Sequence, residues 1–66
     1  MNVVVNGKRL ELAPSATVEA LLGELGLETP YALVERNGEP VERGQYAVVR
    51  LNEGDSVVVA RPVAGG

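Results

Sequence analysis

Short valine-rich runs stand near the start and near the end of the chain, and Leu10 and Leu12 alternate with the polar Arg9 and Glu11, patterns that are typical of strands. At the start, two such runs flank Asn6-Gly7. Asn-Gly is the dipeptide most typical of a two-residue hairpin turn, because both turn positions require a positive φ. The pattern predicts strands over residues 1–6 and 8–13, joined by that turn. Near the end, the run SVVVAR predicts a further strand over residues 56–61.

The segment after the hairpin has apolar residues at the spacing of one helix face. These residues are Val18, Leu21, Leu22 and Leu25. Thr17 or Ser15 can cap the start of the helix, and Gly26 is placed to end it. We expect this segment to be the core helix of the domain.

The second half of the chain completes a sheet. Residues 31–41 predict a third strand that runs into a second Asn-Gly turn at Asn37-Gly38, and Pro40 indicates a short edge element there. A short strand is predicted near residues 48–51. The order of hairpin, helix and strands indicates an α+β domain of the β-grasp kind, a mixed four- to five-stranded sheet with one main helix packed on one face. The first and last strands are the most hydrophobic and should be central.

Composition and charge exclude several classes of function. The 66 residues make one small domain without cysteine or histidine, so the chain supplies no disulfide, no thiol nucleophile and no histidine metal site. Its carboxylates lack the spacing of a calcium loop, and we expect no metal site. A net charge of −3 with only two tyrosines argues against nucleic-acid binding. Apolar runs of at most four residues argue against a membrane span, and the cytoplasm is the expected compartment.

The end of the sequence, RPVAGG, is the main candidate for chemistry. We expect a β-grasp domain over residues 1–61 and a flexible tail over residues 62–66, whose two glycines bury nothing. A frayed terminus or a cloning remnant would give the same two glycines. Glycine has no Cβ and lets a terminus enter a narrow site, and five extended residues reach about 16 Å. The carboxylate of Gly66 is a poor electrophile until ATP converts it to an acyl-adenylate.

Strand alternation also predicts a surface for a partner. If Val3, Val5, Val57 and Val59 point into the core, the residues that alternate with them along the two strands point outward. These outward residues are Val4, Val58 and Ala60. An apolar strip of this kind is a possible docking patch, and the alternative is that they are scattered exposed side chains.

Three groups of residues, in this order along the chain, carry a resemblance to a known family. They are Asn37, Pro40, Val41 and Arg43; Leu51, Gly54 and Asp55; and Ala64, Gly65 and Gly66. Over essentially its whole length the sequence resembles the ThiS family of ubiquitin-like sulfur carriers, in the ThiS/MoaD superfamily. Sibling carriers for molybdopterin and for tRNA thiolation are related to it.

The resemblance implies a carrier in thiamin thiazole biosynthesis, and not an enzyme. An E1-like (ThiF-like) adenylating enzyme would activate Gly66 with ATP, with Ala64, Gly65 and Gly66 threaded into that partner. A cysteine desulfurase or another sulfur donor would convert the adenylate to a thiocarboxylate, and a ThiG-like thiazole synthase would accept the sulfur. No cofactor would be bound stably, and the chain itself has no catalytic residue.

Two other classes of function remain open at this stage. A ubiquitin-like protein modifier would join Gly66 to a target lysine, and Lys8, the only lysine, would be the sole lysine acceptor within the chain. A pure interaction module would use the same fold without tail chemistry, because a fold alone does not fix a function.

Overall fold

A computed structural model describes residues 1–27 and 31–61 of the chain. Within these ranges the chain forms one five-stranded sheet, one α-helix and one 3₁₀ helix. The elements are β1 Asn2–Val5, β2 Lys8–Glu11, α1 Val18–Glu24, β3 Leu33–Arg36, β4 Glu39–Pro40, the 3₁₀ helix Arg43–Gln45, and β5 Ser56–Ala60.

The predicted hairpin is confirmed. Strands β1 and β2 pair antiparallel with Val5 opposite Lys8, which leaves Asn6 and Gly7 as the two turn residues. Their φ angles of 51° and 83° are both positive, as the favoured hairpin turn requires. Both strands are shorter than predicted, but the hydrogen bonding continues one pair beyond Asn2 and Glu11: the N–H of Leu12 donates to Met1 O at 2.8 Å, and the Met1 nitrogen donates to Leu12 O at 2.9 Å.

The strand order across the sheet is β2-β1-β5-β3-β4. Strand β5 is parallel to β1 and antiparallel to β3, so the sheet is mixed. The two most hydrophobic strands therefore lie side by side away from the edges, as predicted. The second Asn-Gly turn, at residues 37–38, leads into the two-residue edge strand β4, which contains Pro40. Proline suits an edge because it has no N–H to donate to a further strand.

The helix packs its apolar face into the core. Thr17 is the N-cap, and its Oγ1 accepts a hydrogen bond of 3.1 Å from the backbone N–H of Ala20. Ser15, the other predicted cap, does not take this position. The helix ends at Glu24, before Gly26 at φ 70°. Leu25 is consequently the C-cap and is 36% exposed, so the prediction that it belongs to the buried face was wrong.

The predicted strand near residues 48–51 was also wrong. Arg50 makes only an isolated antiparallel bridge with Thr17. The backbone N–H of Leu51 donates to Ala16 O at 2.9 Å, and the N–H of Val18 donates to Val49 O at 3.0 Å. This segment pairs with the residues that enter the helix and not with a strand of the sheet. Its anchor is the side chain of Leu51, which is fully buried.

The core lies between the helix and the inner sheet face. Tyr46 is part of this core, and its hydroxyl donates a buried hydrogen bond of 2.9 Å to Ala32 O. Within the described ranges, the buried side chains of this core are Val3, Val5, Leu12, Val18, Leu21, Leu22, Ala32, Val34, Tyr46, Leu51, Val57 and Val59.

In the same part of the chain, no helix has the length and apolar character needed to cross a membrane.

Candidate functional site

The residues predicted to be modified or threaded into a partner, Ala64, Gly65 and Gly66, lie outside the described residues. The predicted tail over residues 62–66 lies there as well. The description ends at Arg61, which is exposed and directly follows β5. The described part of the candidate site therefore consists of the outer sheet face that includes β5 and of the contacts that hold β5 in place.

The outer sheet face carries the predicted docking residues. Along β1 and β5 burial alternates residue by residue, with Val3, Val5, Val57 and Val59 buried. Val4 is 36% exposed, Val58 is 48% exposed, and Ala60 is exposed as well. The predicted orientation is confirmed for all three residues, and their docking role stays a prediction.

A fourth apolar side chain enlarges this face. Leu33 of β3 is 50% exposed and pairs directly with Ala60 of β5. Val58 lies two residues before Ala60 on the same face, so these three side chains are neighbours across two strands. Val4, Leu33, Val58 and Ala60 are called the outer patch below. The sequence pattern missed Leu33 because its position depends on the register between β3 and β5.

Charged side chains border the outer patch on its two sides. Arg9 of β2 pairs with Val4 on the β1 side of the sheet, and Glu35 of β3 pairs with Val58 on the other side. Both side chains share the outer face with the patch, because residues paired across strands point to the same side. Glu11, two residues after Arg9 and also exposed, lies on the same face of β2, so charges of both signs adjoin the patch on the β2 side.

The end of β5 is held by a side chain from the first hairpin turn. Oδ1 of Asn6 accepts a hydrogen bond of 2.9 Å from the N–H of Val59, and Nδ2 of Asn6 donates one of 3.1 Å to Val59 O. The backbone N–H of Asn6 also donates to Val57 O at 2.9 Å. One turn residue thus fixes the strand two residues before Arg61.

The start of β5 is held by a polar cluster around Asp55, which is 7% exposed. Its Oδ1 accepts a hydrogen bond of 3.1 Å from Asn37 Nδ2, its Oδ2 accepts one of 2.8 Å from the N–H of Asn52, and Arg36 Nε lies 3.2 Å from Oδ2. Asn37 Oδ1 accepts from the N–H of Ser56 at 2.9 Å. The carboxylate is occupied by these structural contacts, which the sequence pattern did not indicate beyond a turn.

No buried side-chain nitrogen or oxygen in the described part of the chain lacks a hydrogen-bond partner. Among the same residues there is no group of three or more acidic, cysteine or histidine side chains that could hold a metal ion.

Comparison with known proteins gives a family match over nearly the whole sequence. The ThiS family profile matches residues 3–66. The crystal structure of the thiamine biosynthesis protein ThiS from Geobacter metallireducens superposes with a TM-score of 0.84 at 36% identity, covering 100% of both chains. The crystal structure of SAMP1 from Haloferax volcanii superposes with a TM-score of 0.62 at 20% identity, covering 98% of this chain and 97% of that one, which supports the fold alone.

Two curated relatives are much longer proteins. A thiazole synthase of Paramagnetospirillum magneticum is 44% identical over 66 residues, and a thiazole synthase of Magnetococcus marinus is 36% identical over 66 residues. Each alignment covers 100% of this chain and 20% of the relative. The chain thus spans about a fifth of the length of the curated relatives it matches.

Proposed function

The chain belongs to the ThiS family of small ubiquitin-like sulfur carriers in thiamine biosynthesis, which are carriers and not enzymes, and on that premise we propose that the carboxylate of Gly66 is its reactive group. An E1-like adenylating enzyme of the ThiF kind activates Gly66 with ATP, a sulfur donor displaces AMP to give a thiocarboxylate, and the thiocarboxylate donates its sulfur for the thiazole of thiamin. The observation that carries this proposal is the family match itself, which runs through Ala64-Gly65-Gly66 to residue 66.

The chemistry follows from the weak electrophilicity of a carboxylate. In the first step a Gly66 oxygen attacks the α-phosphorus of ATP and pyrophosphate leaves, which gives the acyl-adenylate. In the second step a sulfur nucleophile attacks the acyl carbon. With hydrosulfide, AMP and a proton leave, and one carboxylate oxygen has been replaced by sulfur. The chain contains no cysteine or histidine, so the catalytic groups must come from the partners.

Three partners follow from this cycle. The adenylating enzyme consumes the ATP, and no cofactor stays bound to the carrier. A cysteine desulfurase or another donor supplies the sulfur. Thiazole synthase of the ThiG kind accepts it, which is supported by the names of the two long relatives, in which a segment similar to this chain belongs to the same polypeptide. The proposed compartment is the cytoplasm, where ATP is available.

The outer patch is the proposed docking surface for the adenylating enzyme. Two of its four residues, Val58 and Ala60, lie on β5, the strand that leads to Arg61, so a partner bound there is close to the start of the predicted tail. Five extended residues reach about 16 Å beyond that point. The globular body can therefore dock on a partner surface while Gly66 reaches a reaction centre inside it.

The test is the intact mass of the protein after incubation with the ThiF-like enzyme, ATP and sulfide. We expect a mass increase equal to the exchange of one oxygen for sulfur, located at Gly66 by fragmentation. A variant that lacks Gly65 and Gly66 is the control and should keep its mass. An unmodified Gly66 under these conditions would rule out the carrier chemistry, and Gly66 in an amide bond to a protein lysine would point to a modifier.

A further inference from the structure

The hydrogen bonds between β1 and β5 form a regular series that the backbone of β1 cannot complete. The N–H of Val4 donates to Asp55 O at 2.9 Å, and the N–H of Asn6 donates to Val57 O at 2.9 Å. The next residue of β5 that faces β1 is Val59. At that point the chain has already turned away at Asn6-Gly7 towards β2, so no backbone of β1 remains to pair with it.

The side chain of Asn6 takes the place of the missing backbone. Its Oδ1 accepts from the N–H of Val59 at 2.9 Å, and its Nδ2 donates to Val59 O at 3.1 Å. A primary amide presents a donor and an acceptor side by side, as the N–H and C=O of one residue do along a strand edge, so it continues the ladder by one residue.

The neighbour on the other side does not provide these bonds. Strand β3 pairs with β5 with Val34 opposite Val59. In an antiparallel pair, residues directly opposite one another are hydrogen-bonded only at alternate positions, and the N–H and C=O of Val59 are directed to Asn6. Without the Asn6 amide, both polar groups of Val59 would have only water as a partner.

The turn geometry explains why asparagine serves at this position. Residue 6 has φ 51°, a left-handed conformation that glycine, asparagine and aspartate tolerate best. Glycine would keep the turn and lose both side-chain bonds. Aspartate would keep an acceptor for the N–H of Val59, but its carboxylate has no donor for Val59 O.

We propose that Asn6 is a positioning residue that fixes the end of β5, and with it the point from which residues 62–66 depart towards the adenylating enzyme. This inference rests on the proposed function, because it gives the tail a partner to reach. Asn6 touches none of the reacting atoms. Its contribution is to order Val59 before the partner binds, so that the partner does not have to order it.

The chain contains a matched control for this residue. Asn37 occupies the same position in the second Asn-Gly turn, with φ 52° at Asn37 and 85° at Gly38. Its amide also bonds β5, but at the start of the strand, through Ser56 and Asp55. Loss of the Asn37 side chain should therefore lower stability without releasing the end that leads to the tail.

The experiment compares Asn6→Gly, Asn6→Asp and Asn37→Gly with the wild-type chain as substrates of the ThiF-like enzyme, at a temperature where circular dichroism shows all four to be folded. Pyrophosphate release gives KM and kcat for each. For Asn6→Gly we expect KM to rise about 5- to 30-fold, the factor for ordering one residue's backbone, with kcat unchanged. The KM of Asn6→Asp should lie between those of Asn6→Gly and the wild type. The KM of Asn37→Gly should stay within about twofold of the wild-type value.

A second readout tests the contact without any enzyme. Hydrogen exchange of the Val59 amide, followed by NMR, should be faster in Asn6→Gly than its global stability explains, whereas in Asn37→Gly it should follow global stability. An equal rise of KM in both glycine variants, or an unchanged KM in Asn6→Gly, overturns the proposal.

The two proposals fail in different ways. If the wild-type chain is not adenylated at all, the proposed function fails. The role of Asn6 in ordering Val59 is then tested by hydrogen exchange alone. Equal protection of the Val59 amide in Asn6→Gly and in the wild type would overturn that role.

Discussion

Arg36 and Asp55 form an ion pair in which Nε of Arg36 lies 3.2 Å from Oδ2 of Asp55. The Asp55 side chain is 9% exposed, and that of Arg36 is 30% exposed. The same carboxylate accepts hydrogen bonds from the N–H of Asn52 and from Asn37 Nδ2. One acidic side chain therefore joins the end of β3, the second Asn-Gly turn and the turn that leads into β5.

Replacing Asp55 by alanine should lower the free energy of unfolding by about 1–3 kcal/mol, because it leaves the Asn52 N–H and the Asn37 amide without their acceptor. Urea denaturation at neutral pH measures the loss. Glu53→Ala is the control: Glu53 is exposed and accepts one hydrogen bond, from the N–H of Asn2 at 3.0 Å. Its loss should be about 1 kcal/mol or less. Equal losses in the two variants would contradict the structural role of Asp55.

The parts of the fold that the sequence predicted are those governed by short-range rules. Asn6-Gly7 sets a two-residue turn by its φ angles alone, and the alternating side-chain direction of a strand divides residues 56–60 between two faces wherever β5 pairs. The segment near residues 48–51 is similarly rich in valine but joins no strand of the described sheet. Its partner is Thr17 at the start of the helix, which no local pattern indicates.

In the candidate site, too, some residues follow from short-range rules and others only from tertiary contacts. Strand alternation sets Val58 and Ala60 on the face opposite Val57 and Val59, and Val4 opposite Val3 and Val5, but that this face is the outer one was a condition of the prediction. The structure decides it. Leu33 joins them only through its register with Ala60, and Asn6 reaches Val59 over 53 residues of sequence. Contacts at such separations follow from the tertiary arrangement, so the sequence pattern indicated a turn at Asn6 and could not indicate its hold on β5.

Tyr46→Phe should lower the free energy of unfolding by about 1–2 kcal/mol. The hydroxyl donates a buried hydrogen bond of 2.9 Å to Ala32 O, and phenylalanine keeps the ring while leaving that carbonyl without this donor. Thermal or urea unfolding measures the change. Tyr46→Leu, which also removes ring contacts, should lose more. An unchanged midpoint for Tyr46→Phe would mean that water replaces the hydroxyl at Ala32.

Thr17→Ala should cost about 1 kcal/mol through loss of the helix N-cap, since its Oγ1 accepts from the N–H of Ala20. Thr17→Ser retains the oxygen and is the matched control, expected within about 0.5 kcal/mol of the wild type. Urea denaturation compares the three proteins. If serine and alanine lose the same amount, the contribution of Thr17 comes from its methyl packing and not from the cap.

Val58→Arg tests the outer patch as a docking surface. Val58 is about half exposed and lies opposite Glu35, so an arginine there can pair with that carboxylate, and we expect unfolding free energy to stay within about 1 kcal/mol of the wild type. In the adenylation assay KM should rise by about tenfold or more, as for a central interface residue. Val48→Arg is the control. Val48 is an exposed valine in the turn after the 3₁₀ helix and belongs to no strand of the sheet, and its replacement should leave KM unchanged. If Val58→Arg is adenylated with the wild-type KM, the partner does not dock on the outer patch. Gly66 would then have to reach the partner's reaction centre while another face of the domain is bound.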